Sequence, residues 1–387
     1  MRLHPNSNQG IISILLCLLA MGTSTQELQH RTMAVNIEVP VRVFKGDRFI
    51  DDLALNDFEV YENGILQKID AVYLIKKTQI EREEALPGKE ALLKQLSPQT
   101  SRNFVLFFEV IDYLPKIGEA VTYFFENIIE PQDNLKVMTP EKAYNFKAAA
   151  LKQMPRGKIA EQLIGKIRKD TLLACREYKN LIEEFFRIKQ IEGLDPGVKL
   201  QMLKNICRMM RDRTQFDEKR VSEFADYLKE QPGQKHVFLF YQKEMMPLPP
   251  GLYELDAFDL MKAVSFDMDK IKAIFADSSI TCHFVYMTLE AERDASQLTL
   301  DADQEWMNQS AEVFSAFKQI ADATGGLVES SANPSFSFKK SVQASETYYL
   351  LYYTPQNYRP DGKFRNIKVK VTSGSYRVMH RAGYIAD

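Results

Sequence analysis

The chain has 387 residues, 45% hydrophobic and 26% charged, which is long enough for two or three domains and carries no disordered bias. Its 50 Lys and Arg against 52 Asp and Glu leave a net charge of −2 with no basic stripe, which excludes the electrostatic footprint of a nucleic-acid binder. Residues 1–22 read as a secretory signal peptide: Arg2 supplies the positive end, Ile11–Met21 the apolar run, and Ala20-Met21-Gly22 the small-x-small cleavage site. The run falls short of the roughly 17 residues that span a bilayer, so a retained anchor is the lesser reading and no stable membrane span is expected after cleavage. Export to the periplasm, cell surface or medium follows. The remaining cysteines, Cys175, Cys207 and Cys282, are scattered and odd in number; they read as buried thiols, with a Cys175–Cys207 bridge as the alternative.

Residues 34–75 form an N-terminal β segment. Val35, Ile37, Val39, Val41 and Val43 alternate with Asn36, Glu38, Pro40 and Arg42, the pattern of a half-buried strand. Pro40 cannot donate to a ladder, which puts one side of this strand at an edge. Asn63-Gly64 between two further runs is a strong hairpin signal. Residues 76–102, charged and broken by Pro87-Gly88 and Pro98, read as a linker with a short helix at Glu90–Leu96.

From 103 to 330 strands and helices alternate. The apolar run Phe104–Phe108 ends at Glu109 and opens onto a helix with a stripe of Ile117, Ala120, Val121, Phe124, Phe125 and Ile128. A strand follows at Leu135–Thr139. Residues 155–230 carry four helical stripes and read as a helical insertion. His236–Tyr241 is the next central strand, with a loop forced by Pro247, Pro249, Pro250 and Gly251. Then come a helix near Asp267–Asp277, a strand at Ile280–Met287, a helix Trp306–Thr324 stopped by Gly325-Gly326, and a strand at Leu327–Glu329. Residues 345–387 are β again. Neither terminal β segment buries enough surface alone, so the two are expected to pair into a small β-sandwich.

The stretches VNIEVPVRVFKGDRFIDDLALNDFEVYENGILQKI (35–69), NFVLFFEV (103–110), TPEKAYNF (139–146), KHVFLFYQ (235–242), ETYYLLYYTP (346–355), DGKFRNIKVKV (361–371) and RAGY (381–384) together resemble the bacterial exported proteins with a domain related to von Willebrand factor A. The resemblance covers nearly the whole mature chain and implies an α/β fold: a doubly wound, mostly parallel sheet of the von Willebrand A type, with ligands at the carboxyl ends of its strands. It also implies a divalent cation such as Mg²⁺ held by hydroxyl and carboxylate oxygens. The motif is altered here. Glu109 replaces the first aspartate, Ile111 and Tyr113 replace the two serines, and Tyr241-Gln242-Lys243 replaces the second Asp-Gly. The oxygen ligands left for an atypical metal site are Glu109, Asp112 and Thr171.

Nothing points to an enzyme: there is no G-x-S-x-G, phosphate loop or H-E-x-x-H, and Cys282 and His283, adjacent on a strand, point to opposite faces. The tyrosines 348, 349, 352 and 353 read as strand packing, and Met202, Met209 and Met210 as packing or an adaptable partner surface. Two functions are expected from different classes. The first is an exported, metal-independent interaction or scaffold module for an unidentified protein partner. The alternative is a divalent-cation-dependent adhesion module built on Glu109, Asp112 and Thr171.

Overall fold

A computed structural model describes residues 35–96, 98–110, 113–146, 148–214, 218–242, 267–287, 314–331 and 333–387. The expected signal peptide, Asp112, Lys243, the expected proline loop 247–251 and the start of the helix expected from Trp306 lie outside the described residues.

The N-terminal strands are β1 (Ile37–Lys45), β2 (Arg48–Phe49), β3 (Phe58–Glu62), β4 (Ile65–Gln67), β5 (Ile69–Lys76) and β6 (Gln79–Ala85), followed by α1 (Glu90–Leu96). Asn63 and Gly64 turn β3 into β4 with φ of 48° and 83°, the left-handed pair that a two-residue hairpin demands. The central block begins with β7 (Arg102–Glu109), α2 (Pro115–Tyr123) running into a π-helical turn at Phe124–Ile128, β8 (Asn134–Met138) and β9 (Ala143–Phe146). Four helices follow: α3 (Ala148–Gln153), α4 (Arg156–Gln190), α5 (Pro196–Thr214) and α6 (Glu218–Lys229). Then come β10 (Gln234–Tyr241), α7 (Met268–Asp277), β11 (Ile280–Met287), helix α8 over 314–324, and β12 (Val328–Ser331). The chain ends with α9 (Pro334–Ser345), β13 (Thr347–Tyr353), β14 (Phe364–Val371), β15 (Arg377–His380) and β16 (Gly383–Ile385).

These strands correct the expected fold class. Six lie in one antiparallel sheet ordered β15-β1-β13-β5-β6 with β2 beside β1, and four in a second antiparallel sheet, β16-β14-β3-β4. Together the two form a curled half-barrel rather than a small sandwich. The last six form a mixed sheet, β12-β11-β10-β7-β8-β9, in which β9 runs antiparallel to β8. A doubly wound, mostly parallel sheet does not describe this architecture. The physical reason lies in the connections. Parallel neighbours need a crossover of about a dozen residues or more. Thr139–Lys142 is too short for one, so β9 can only fold back, as do the hairpins of the terminal strands.

The chain ends do pair, β1 with β13 and β3 with β14. β1 is therefore interior, not half-buried: Arg42, expected on a wet face, is 1% exposed. β15 accompanies only Val41–Phe44, and Pro40 sits beyond it, where the strand has β13 alone as neighbour. Residues 79–85, expected as linker, extend the first sheet as an edge strand paired with β5. α9 was not anticipated, although Asn333 caps it and Pro334 opens it. The tyrosines 348, 349, 352 and 353 are all buried. Tyr352 and Tyr353 donate to Glu38 and Glu62, each at 2.7 Å, which fits strand packing.

Helices cover both faces of the mixed sheet. Phe104, Leu106, Phe108, Phe238 and Phe240 pack against α2, the π turn, α4 and α9. Val105, Val237 and Leu239 pack against α6, α7 and α8. Cys282 belongs to the second face, whereas His283 stacks on Phe238 on the first, so the two do point apart. Asn36–Asp387 pack as one unit.

Candidate functional site

The chain leaves β7 to build β8 on one side and returns later to build β10 on the other, so the strand order reverses between β7 and β10. The crevice outside the carboxyl ends at such a point is where α/β sheets bind ligands. Glu109, partly buried, ends β7 there. It stands opposite Tyr241 of β10, and its carbonyl accepts from the Gln242 amide at 2.8 Å.

Thr139 marks the carboxyl end of β8. Its hydroxyl donates to Asp170 at 2.8 Å and accepts from the Lys142 amide at 3.0 Å. The Tyr144 hydroxyl, from β9, donates to the same Asp170 oxygen at 2.7 Å. Asp170 is buried on α4, so its carboxylate is held by two hydroxyls that came from elsewhere in the chain. Burial, and then the bond to Asp170, push the Tyr144 hydroxyl up to about 12, which keeps it a donor at neutral pH. Tyr113 lies nearby with the Arg168 guanidinium 5.9 Å from its ring; burial raises its pKa and Arg168 works against that rise.

Of the three expected metal ligands, Glu109 ends β7 and Thr171 is buried on α4 next to Asp170. Asp112 lies outside the described residues. The Thr171 hydroxyl has no hydrogen-bond partner among the described residues. Among those residues no group of three or more His, Cys, Asp or Glu side chains is placed to hold a metal. The aspartate the structure does bring to this end, Asp170, already accepts two hydroxyl protons that a cation would have to displace. Sequence reasoning named Thr171 and missed Asp170, Thr139 and Tyr144. The signal was present: Leu163, Ile167, Asp170, Ala174 and Tyr178 fall on one helical stripe, and a carboxylate on an apolar stripe needs partners.

The helical insertion has its own small core. Tyr178, Phe185 and Ile188 of α4 pack against Leu203, Cys207 and Met210 of α5. About 105–145° around α5 from that core, Val198, Met202 and Met209 are 50%, 37% and 53% exposed. Arg213 pairs with Glu177 at 2.5 Å and Glu141 at 3.4 Å, tying the end of α5 to α4 and to the β8–β9 turn. Met210 is thus core, while Met202 and Met209 face outward. All three described cysteines are reduced, including Cys175 and Cys207. No helix among the described residues is long and apolar enough to cross a membrane.

No family model matches the chain, and neither a curated protein nor a solved structure matches it.

Proposed function

We propose that the mature chain is an exported protein–protein interaction or scaffold module that works without a metal ion, with α5 as its contact surface. One observation carries this reading: Val198, Met202 and Met209 line up on one face of α5, turned away from its core, and stay exposed. Unbranched, polarisable methionine side chains adapt to partner surfaces, and apolar residues aligned on an exposed helix face are a common contact surface. Export rests on Arg2, Ile11–Met21 and Ala20-Met21-Gly22. Kinship with the exported proteins related to von Willebrand factor A rests on the terminal motifs, and the stretches that carry it lie side by side as β1 with β13 and β3 with β14.

The test is site-specific photo-crosslinking from positions 202 and 209 in the native host, beside the same probe at Lys158 on the exposed side of α4. One partner captured from 202 and 209 and not from 158, and lost in a Met202→Lys/Met209→Lys chain that still folds, supports the proposal. Equal capture from all three positions, or none, contradicts it. The cation-dependent reading draws on a different observation, the buried Thr171 hydroxyl without a described partner beside Asp170 at the crevice of Glu109. It requires that capture be abolished by a chelator and restored by Mg²⁺.

A further inference from the structure

Where β1 and β13 of the first antiparallel sheet meet β11 of the mixed sheet lies a buried group of hydrogen-bond donors. Arg42 of β1 is 1% exposed, and its one acceptor among the described residues is the Gly325 carbonyl, at 3.4 Å. Its Nε and Nη2 have no hydrogen-bond partner among the described residues. The guanidinium carbon stands 5.8 Å from the ring centroid of Tyr348, whose buried hydroxyl is also without a described partner. Gly325 is held in place by sterics: it has φ of 69°, and an added Cβ would lie 2.9 Å from the backbone of His380.

His283 completes the group. Its Nδ1 accepts from the Leu327 amide at 3.3 Å, two residues beyond Gly325. An N–H can only be received by a lone pair, so in the neutral ring the proton sits on Nε2. That Nε2 is buried and has no described partner. His236, buried and without a partner at either nitrogen among the described residues, lies with its ring 6.1 Å from that of His283. Burial first, then the Arg42 and Arg102 cations at His236 and the Arg42 cation at His283, hold both histidines neutral. Burial lowers the Arg42 pKa to about 10, which leaves it charged at neutral pH, and burial raises that of the Tyr348 hydroxyl, with Arg42 working against that rise and Glu38 adding to it.

The group is therefore rich in donors, poor in acceptors and carries one positive charge. A buried ion without a counter-charge costs far more than the single long bond to Gly325 returns. We infer that Arg42 Nε and Nη2, His283 Nε2 and the Tyr348 hydroxyl bind a small inorganic monoanion of chloride's class. A monoanion matches the charge, and a spherical one suits donors that come from three separate strands, β1, β11 and β13. A cavity of about 470 Å³ is lined by Gly325 and Leu327, the two residues whose backbone bonds Arg42 and His283.

The experiment melts the purified chain as chloride replaces gluconate at constant ionic strength, and collects anomalous diffraction from a bromide-soaked crystal. The expected result is a saturable rise in Tm on the order of 1–2 °C and a bromide peak within about 3.5 Å of Arg42 Nε or Nη2. Arg42→Met abolishes the rise; should that variant not fold, Tyr348→Phe raises the half-saturating chloride concentration several-fold. A bromide-free site, with only water at Arg42 and a Tm indifferent to chloride, overturns the inference.

Discussion

Arg42 and Arg102 are both almost fully buried, at 1% and 2% exposed, and they are treated in opposite ways. Arg102, at the start of β7, meets Asp133 through two bonds of 3.0 and 2.6 Å and also donates to the Ile128 carbonyl at 3.0 Å. Asp133 in turn accepts from the Glu130 amide at 2.7 Å, so the pair locks the turn between the π helix and β8. Arg42 has one long bond and an aromatic face. A carboxylate that the fold brings from 31 residues away makes one arginine a staple. Its absence around the other makes that site a receptor for charge from outside. The comparison separates structural from binding electrostatics within one fold.

The largest effect is expected at the staple. Asp133→Ala strands a buried guanidinium and costs about 3–5 kcal/mol in urea unfolding; a loss below 1 kcal/mol would mean the pair is no staple. Next comes acid. Burial and Arg42 lower the folded pKa of His236 and His283 below the usual 6.5. The folded chain refuses protons that the unfolded chain takes up, so stability is full above about pH 6.5 and falls below it. Two such histidines remove about 2 kcal/mol between pH 6.5 and 5.5. His236→Phe, which keeps the stacking on Phe104, halves that slope; an unchanged slope would place the titration elsewhere.

Smaller still is Arg42→Met. Removing an unpaired buried charge is near neutral in chloride-free buffer and costs about 1 kcal/mol in saturating chloride, read by urea unfolding in the two buffers. The opposite order would erase the contrast with Arg102. Smallest is Met202→Lys/Met209→Lys, on an exposed helix face, which is expected to shift stability by less than about 0.5 kcal/mol in thermal melts.

What the sequence revealed depended on whether local pattern and tertiary role agreed. Ile280–Met287 and Glu90–Leu96 were legible because an apolar strand and a short helix between prolines carry their own signals. Gln79–Ala85 was not: as an edge strand exposed along most of its length it needs no apolar alternation, and its charges read as linker. α9 hid because it packs serines, Ser337, Ser341 and Ser345, toward the interior instead of leucines, though its cap and proline were in view. Arg42 alternated with valines as a surface residue would; only the pairing of β1 with both β13 and β15 buries it. At the crevice Glu109 and Thr171 were read from a family pattern, whereas Asp170 depends on hydroxyls from β8 and β9 that no local window contains. The parallel pairing of β7 with β10 followed from buried apolar runs, but the number of antiparallel strands around them did not, because each terminal segment looked too small to form a sheet by itself.

The most direct measurement is the affinity of the partner crosslinked at positions 202 and 209 for the wild-type chain and for Met202→Lys/Met209→Lys, each with EDTA and with Mg²⁺. A metal-independent contact through α5 predicts at least a tenfold loss in the variant and the same affinity with chelator and with Mg²⁺. Affinity that survives the double substitution but vanishes in EDTA would contradict it and move the binding surface to Glu109 and Thr171.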